Sequence, residues 1–374
     1  MLRKVSASPT SGTVPATATS NSPATSDAPA TTNAPALPRR RSQATSSFRD
    51  RAALRRYWII FSILLVLALL FAGGLLAWNN PLPYGSAGFW RIAARRADAV
   101  ISMAIVACCH AVATVAFQSI ANNRIITPSI MGFEALYVAI STTAVYFMGI
   151  FGVLQASTVE AFVLQLVLMV GLSLGLYTWL LTGKYADMHS MLLIGIVIGG
   201  GLGAVSTFMQ RMLTPSEFDV LSARLFGSVT HADAAFFPIA IPLVALAMTI
   251  IALHARQLNV IALGRAVATN VGVSYTRSSI TVLVCVSLLM AVSTAMVGPM
   301  TFLGFLVATI AYQAADTYDH RYILPMAALI GFVTLSGAYF VLNHIFYAQG
   351  VVSIIIELVG GSIFLYVVLK KGRL

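Results

Sequence analysis

The segment Tyr57–Trp78, with the sequence YWIIFSILLVLALLFAGGLLAW, contains 22 consecutive residues without a charged side chain. A helix crosses the hydrocarbon core of a bilayer with roughly 20 apolar residues. The segment therefore predicts a transmembrane helix. It is longer than the apolar part of a secretory signal peptide, so we do not expect it to be cleaved.

Nine further apolar runs follow and predict a polytopic membrane protein. The chain is 58% apolar and 9% charged, with a mean hydropathy of +0.86, whereas soluble domains carry about a quarter charged residues. This composition excludes a soluble enzyme. We expect an all-α fold in which residues 57–374 form about ten transmembrane helices, at 57–78, 98–119, 130–149, 158–182, 188–208, 234–254, 277–298, 300–315, 323–345 and 350–369.

Residues 1–56 have a different composition. They are rich in Ala, Thr, Ser and Pro up to about residue 47, and such a segment buries too little apolar surface to offset the entropy lost on ordering. We predict a disordered cytoplasmic tail over residues 1–56 that ends in a basic cluster. The cluster consists of Arg39, Arg40, Arg41, Arg49, Arg51, Arg55 and Arg56.

The positive residues behind the net charge of +11 are distributed as membrane topology requires. Eighteen of the 23 Lys and Arg residues lie on the side of the amino terminus, if Arg277 at the edge of the seventh run is included, and five lie on the other side. Positive residues are enriched on the cytoplasmic side of a membrane. We therefore predict a multi-pass protein of the plasma or inner membrane with both termini in the cytoplasm, contact with lipid and no nucleic-acid partner. Residues 79–97 are the exception, because they place three arginines outside.

The chain lacks the motifs of nucleotide-hydrolysing and zinc-dependent hydrolytic enzymes. It contains no Walker-type glycine loop and no His-Glu-x-x-His. Cys108, Cys109 and Cys285 lie inside apolar runs, without the spacing of a metal site or a disulfide framework. We therefore expect a protein that is not an enzyme and binds no metal or cofactor directly.

Few ionisable residues lie within the apolar runs. Glu134 and Glu160 stand near the starts of the third and fourth runs, and Glu357 stands inside the last. Glu357 fits a proton relay and a helix-packing acid equally well, while His110 is interpreted as a packing residue. Because no chain of such groups is present, the sequence favours a permease subunit driven by a partner, and an ion-coupled secondary transporter stays open as the alternative.

The segment Gln257–Val273, QLNVIALGRAVATNVGV, is the most informative of the connecting segments. It is amphipathic, lies on the predicted cytoplasmic side and contains two spaced glycines. It resembles the segment that contacts the ATPase subunit in the iron-chelate and cobalamin ABC importer permeases. The resemblance assigns the ATPase-coupling role to Leu258, Asn259, Leu263, Gly264, Ala266 and Gly272.

Four further motifs resemble the same family in the same order along the chain. They are Gln118 with Asn122–Glu134 (NNRIITPSIMGFE), Gly298–Val307 (GPMTFLGFLV), Asp319–Arg321 with Leu324-Pro325, and Gly350–Val352 with Gly360–Phe364. The first is similar to ferric-siderophore permeases in particular. The resemblance implies that eight residues of these motifs line the pathway or have a structural role. They are Gln118, Asn122, Asn123, Pro128, Gly132, Gly298, Pro299 and Gly304.

The sequence departs from the family pattern at three places. Ala308-Thr309 replace a frequent Pro-His, Asn123–Ile126 replace Asn-Pro-Leu-Ala, and Tyr347–Gln349 replace Glu-Leu-Pro.

The resemblance implies the type II ABC importer architecture and a set of partners. These are a separate ATPase subunit that uses the ATP, a second permease subunit of identical or different sequence, and an extracytoplasmic binding protein that delivers a ferric siderophore. In this family, arginines before the second run pair with acids on the binding protein. By spacing from Gln118 and Asn123, Arg96 falls on the first family arginine and Ala99 on the second, which is therefore missing, and Arg91 and Arg95 are the candidates to replace it. Import of cobalamin or haem by the same fold is the alternative substrate reading.

Overall fold

A computed structural model describes residues 47–78, 80–149, 158–182, 188–229, 232–344 and 352–371. Within these residues the chain forms thirteen α helices and two short 3-10 turns, Ser129–Met131 and Ala234–Phe236. The helices are α1 (Arg51–Ala77), α2 (Ala87–Ala121), α3 (Phe133–Met148), α4 (Val159–Thr182), α5 (Met188–Gln210), α6 (Pro215–Leu225), α7 (Phe237–Leu253), α8 (Ala255–Ile261), α9 (Arg265–Asn270), α10 (Tyr275–Val297), α11 (Leu303–Ala315), α12 (His320–His344) and α13 (Val352–Lys371).

Ten of these helices correspond to the ten predicted apolar runs. Seven are long and apolar enough to cross a membrane, namely α1, α2, α5, α7, α10, α12 and α13, and shorter apolar helical stretches are α3, Val159–Gly175 of α4, and α11. The predicted all-α polytopic fold is therefore confirmed. The proposed tail up to residue 46 and the departure at Tyr347–Gln349 lie outside the described residues.

Helices α2 and α10 form the centre of the bundle. In the apolar 18-residue stretch of each of them, 78% is buried inside the protein, compared with 11% in α1 and 22% in α5 and α13. Helix α2 packs against α10, α11, α12 and α1. It also begins at Ala87, eleven residues before the predicted start at residue 98, because the Ser86 hydroxyl accepts a hydrogen bond from the Phe89 N–H at 3.1 Å and caps the helix.

Two apolar helices are too short to cross the bilayer alone. Helix α3 has 16 residues and α11 has 13, which correspond to about 24 Å and 20 Å of helix, whereas the hydrocarbon core is about 30 Å thick. The amino terminus of α3 meets the loop before α11, where Glu134 accepts hydrogen bonds from the Met300 N–H at 3.2 Å and the Thr301 hydroxyl at 2.6 Å. Non-helical backbone at membrane depth needs such internal partners.

The bundle has two distinct ends. The α8–α9 end carries residues 47–50, the carboxyl end of α2, helices α8 and α9, and the α11–α12 connection, which hydrogen bonds link to one another. The α6 end carries α6, the end of α1 and the start of α2.

Gly304 shows how closely α11 packs against α2. A Cβ atom at this position would overlap the Thr114 hydroxyl and lie 3.4 Å from the His110 carbonyl oxygen. The glycine therefore permits a helix–helix contact for which any larger residue lacks space, as is common in membrane bundles.

We expect Gly304→Ala to lower the stability of the purified protein by about 1–3 kcal/mol, because overpacking forces the two helices apart. Thr114→Ala in the same chain removes the overlapping hydroxyl and should recover part of the loss. Gly203→Ala is the matched control, because nothing lies within 4 Å of the added Cβ. Thermal unfolding in detergent measures all four proteins, and equal stability of the Gly304 and Gly203 variants would contradict the packing argument.

Candidate functional site

The segment Gln257–Val273 folds as two short helices, α8 and α9, with Gly264 between them. Gly264 has φ +101° and Gly272, after α9, has φ +87°. Both values lie in the region that residues with a Cβ rarely adopt. Hydrogen bonds from the Gly264 N–H to the Ile261 carbonyl and from the Ala268 N–H to the Gly264 carbonyl close the turn on both sides.

One side of this helix pair is buried and the other carries exposed apolar side chains. Leu258 and Ala268 are fully buried. Leu263, Val267 and Val271 are 64%, 42% and 66% exposed, and we call these three residues the apolar ridge. The sequence analysis included Leu263 but missed the two valines. Their spacing of four residues places them on one helix face and could have revealed them.

Asn259 faces the bundle rather than a partner. Its side-chain N–H donates to Asp319 Oδ1 at 3.2 Å, and its side-chain oxygen accepts from the His320 N–H at 3.0 Å. That N–H is the backbone group of His320, and the ring nitrogen Nδ1 lies 2.5 Å from the same Asn259 oxygen. The other ring nitrogen, Nε2, lies 2.5 Å from the Ser119 hydroxyl on α2. Polar contacts therefore connect α8 to the central helix through the start of α12.

Asp319 is the centre of these contacts, with a side chain that is almost fully buried. Burial disfavours its charged form, but hydrogen bonds from Arg321, from Ser47 and from Asn259 outweigh burial and hold the pKa of the carboxyl well below its usual range. Arg321 donates through Nε and Nη2, the latter at 2.8 Å. The carboxylate is therefore charged and paired at neutral pH.

The predicted pathway residues near the end of α2 form a compact turn. The Gln118 side chain donates to the Arg124 carbonyl at 2.7 Å, Asn122 adopts φ +48°, and the Asn123 side chain accepts from the Ile125 N–H at 2.9 Å. Pro128 begins the Ser129–Met131 turn. The turn ends at Gly132, φ +98°, where a Cβ would lie 3.1 Å from the Gly199 Cα on α5.

Gly298 and Pro299 occupy the loop that Glu134 holds. Gly298 has φ +85°, and its position leaves no space for a side chain because a Cβ would lie 3.1 Å from the Arg224 carbonyl oxygen and the Gly227 Cα. The Ser228 N–H donates to the Val297 carbonyl at 2.8 Å. The α10–α11 loop is therefore packed between α3 and the segment that follows α6.

The glycines of α5 differ in their surroundings. Gly195 and Gly199 pack against Met131 and Gly132, whereas added Cβ atoms at Gly200, Gly201 and Gly203 meet nothing within 4 Å. Helix packing within this chain therefore accounts for the first two glycines only.

The three arginines named for docking lie on the first turns of α2, not in a loop as the predicted run boundaries placed them. Arg91 and Arg95 are exposed. Arg96 donates to the Leu75 and Trp78 carbonyl oxygens at 3.4 Å and 2.8 Å and so joins the end of α1 to α2. A cleft of about 630 Å³ adjoins Arg95 and Arg96, and its polar lining also includes Asp98, Asn343 and His344.

Ten apolar helices in the described residues, with a paired helix segment at one end of the bundle, define a multi-pass membrane protein. Comparisons with known proteins specify its family. A family model described as the FecCD transport family matches residues 60–370. The chain is 54% identical to the petrobactin import system permease protein FatC of Bacillus anthracis, over 89% of this chain and 94% of the relative. It is 33% identical to the petrobactin import system permease protein YclO of Bacillus subtilis strain 168, over 75% of this chain and 89% of the relative.

A solved structure described as an inward-facing metal-chelate type ABC transporter has the same fold. It covers 84% of this chain and 99% of its own, with a TM-score of 0.71 and 19% identity. The chain belongs to the FecCD transport family.

The Asp319 contacts predict a specific pH dependence of stability. A carboxyl whose pKa is lowered by folding stabilises the folded state fully above its unfolded pKa, about 3.9, and loses this contribution as the pH falls through the folded pKa. Asp319→Asn should therefore be less stable than the unmodified protein by a constant amount between pH 5 and pH 8. The difference should shrink below about pH 4. Thermal unfolding across this range tests it, and a difference that changes between pH 5 and pH 8 would contradict it.

Proposed function

We propose that this chain imports a ferric siderophore as the permease subunit of an ABC transporter, and that the apolar ridge is its docking surface for the ATPase. The family membership and the two petrobactin permeases support the transport class and the substrate class. The ridge is the observation that carries the coupling role, because three large apolar side chains stand exposed at one end of the bundle, where a partner would bury them.

The contacts of α8 provide a route for the coupled motion. Movement of the ridge by an ATPase subunit would pass from α8 through Asn259 to the Asp319–His320 backbone, and from His320 to Ser119 near the end of α2. The turn at residues 122–132 follows directly and packs against α5. A mechanism of this kind needs two arrangements of the helices whose populations ATP shifts.

A second permease subunit would complete the pathway. Helices α5 and α13 bury little of their surface within this chain. The unoccupied space beside Gly200, Gly201 and Gly203 of α5 permits close approach of another helix. Glu357 is exposed on α13, where it would face this second subunit or the pathway.

The orientation follows from charge. The α8–α9 end carries Arg51, Arg55 and Arg56 on α1 and Arg265 on α9, and the sequence count assigns most of the positive residues to this side. The positive-inside rule places it in the cytoplasm, where an ATPase subunit is available, with the α6 end and its arginines outside.

Ion coupling and the other chelates are less well supported. Glu134, one of the two candidate coupling acids, is buried and accepts hydrogen bonds from the α10–α11 loop, so it has a structural role that accounts for its position. The cobalamin and haem alternatives are not favoured, because the two relatives described above are both petrobactin import permeases.

Uptake of labelled ferric petrobactin should fall when the gene is deleted from its iron-starved host and return with the unmodified chain. With Val271→Asp the uptake rate should stay about tenfold or more below that of the unmodified chain, because a charge in the apolar contact with the ATPase is costly. Gly264→Val should lower uptake as well, since its φ of +101° excludes a branched residue. Thr269→Asp is the matched control, because Thr269 is exposed on α9 but lies outside the ridge.

Labelled cobalamin and an ionophore distinguish the alternatives. Intact iron uptake with lost cobalamin uptake in the deletion strain would contradict the substrate class. Uptake that stops with an ionophore but survives Val271→Asp would contradict the ATPase coupling and favour a secondary transporter.

For the binding protein we expect two different effects among the three arginines. Arg91→Glu with Arg95→Glu should slow its association with the assembled transporter by about tenfold at low salt, because exposed charges act mainly on the encounter rate. High salt should reduce the difference. Arg96→Glu should instead lower thermal stability, because Arg96 bonds the end of α1. Arg211→Glu on the same end is the control, and equal association rates for all variants would contradict the docking role.

A further inference from the structure

The four residues before α1, Ser47–Asp50, are attached to the α8–α9 end. We call them the amino-terminal strap. The Ser47 hydroxyl donates to Asp319 Oδ2 at 2.7 Å, and the Thr317 hydroxyl donates to the Ser47 carbonyl. Phe48 is only 5% exposed, although it precedes the first membrane helix.

Phe48 fixes the strap through aromatic contacts. Its ring centroid lies 4.8 Å from that of Tyr322 on α12, in an edge-on arrangement, and 5.5 Å from that of Tyr57 on α1. The Tyr57 hydroxyl donates to the Tyr322 carbonyl at 3.1 Å. Arg56 adds an exposed ion pair with Asp316 at 3.4 Å. These contacts join the start of α1 to the α11–α12 connection.

The two oxygens of Asp319 divide between the strap and the coupling helix. Oδ2 accepts from Ser47 and from the Arg321 side chain, while Oδ1 accepts from Asn259 on α8, from the Arg321 backbone N–H at 3.1 Å and from Arg321 Nε at 3.2 Å. Loss of the Ser47 donor leaves this buried carboxylate held by Arg321 and Asn259 alone, and it favours a shift of the group toward Arg321. Such a shift would weaken the bond between Oδ1 and Asn259.

We propose that the amino-terminal strap positions the ATPase-coupling helix α8, with Ser47 and Phe48 as its positioning residues and Asp319 as the group through which they act. The proposal rests on the coupling role proposed above for α8 and α9. It assigns a function to a segment that the sequence indicates only as the end of a polar tail. Detachment of the strap would loosen α8 and reduce the transport obtained per ATP hydrolysed.

Hydrogen exchange tests the positioning without any assumption about transport. In the purified full chain, Ser47→Ala should increase the exchange rate of the α8 amides by about tenfold, because a hydrogen bond to a charged acceptor is lost. Phe48→Ala should increase the exchange rate further. If Phe48→Ala does not fold, the milder Phe48→Leu replaces it in the test. Ser47→Thr retains the hydroxyl and should exchange like the unmodified chain. Arg49→Ala is the control, because Arg49 is an exposed residue of the strap.

The ratio of transport to ATP hydrolysis tests the consequence. In the complete transporter reconstituted with its ATPase, second permease and binding protein, ferric petrobactin transported per ATP should fall about threefold or more in Ser47→Ala, the partial loss expected when α8 is detached for part of the time. The Arg49→Ala ratio should not change. Unchanged α8 exchange, or increased exchange with an unchanged ratio, would overturn the positioning role.

Val271→Asp separates this result from the proposed function. If Val271→Asp uncouples the transporter and Ser47→Ala does not, the strap proposal fails and the coupling role of the ridge stands. If Val271→Asp transports normally, the coupling role itself fails. In that case the exchange data decide only whether the strap holds α8.

Discussion

The buried carboxylate of Asp319 is the constraint on which the α8–α9 end depends. A charge removed from water must be paired and hydrogen-bonded, and the donors here come from three separate parts of the chain, Ser47 before α1, Asn259 on α8 and Arg321 on α12. Satisfying one carboxylate therefore fixes these three elements relative to one another. Replacement of any one donor affects the position of the other two.

A second carboxylate, that of Glu134, accepts hydrogen bonds from a loop inside the bundle. Two helices that are too short to cross the bilayer leave loop backbone at membrane depth, and Glu134 accepts the Met300 N–H and the Thr301 hydroxyl of that loop. The cost of an unsatisfied polar group is high in this environment. An acid in an apolar run can thus serve backbone satisfaction, which explains why its presence alone does not indicate ion coupling.

The sequence predicts the number of the apolar helices well, because hydropathy directly reports which segments lie in the bilayer. It predicts Gly264, Gly272 and Gly298 through motifs, and all three have the positive φ that requires glycine. It did not predict that α2 extends back to Ala87, since three arginines there suggest a loop, nor that Arg96 bonds the α1 carbonyl oxygens. The role of Ser47 and Phe48 was not predictable either, because their partners lie about 270 residues away in the sequence.

The geometry at Gly264 indicates that α8 and α9 are joined by a rigid elbow rather than by a flexible hinge. Glycine is often taken as a sign of flexibility, but here its φ of +101° is required by the turn, and backbone hydrogen bonds close the turn on both sides. The two valines of the apolar ridge lie on the α9 side of this elbow, and Asn259 lies on the α8 side. A rigid elbow transmits a displacement of the ridge to Asn259, and from there to α2, whereas a hinge would absorb it. The structure therefore favours α8 and α9 moving as one lever.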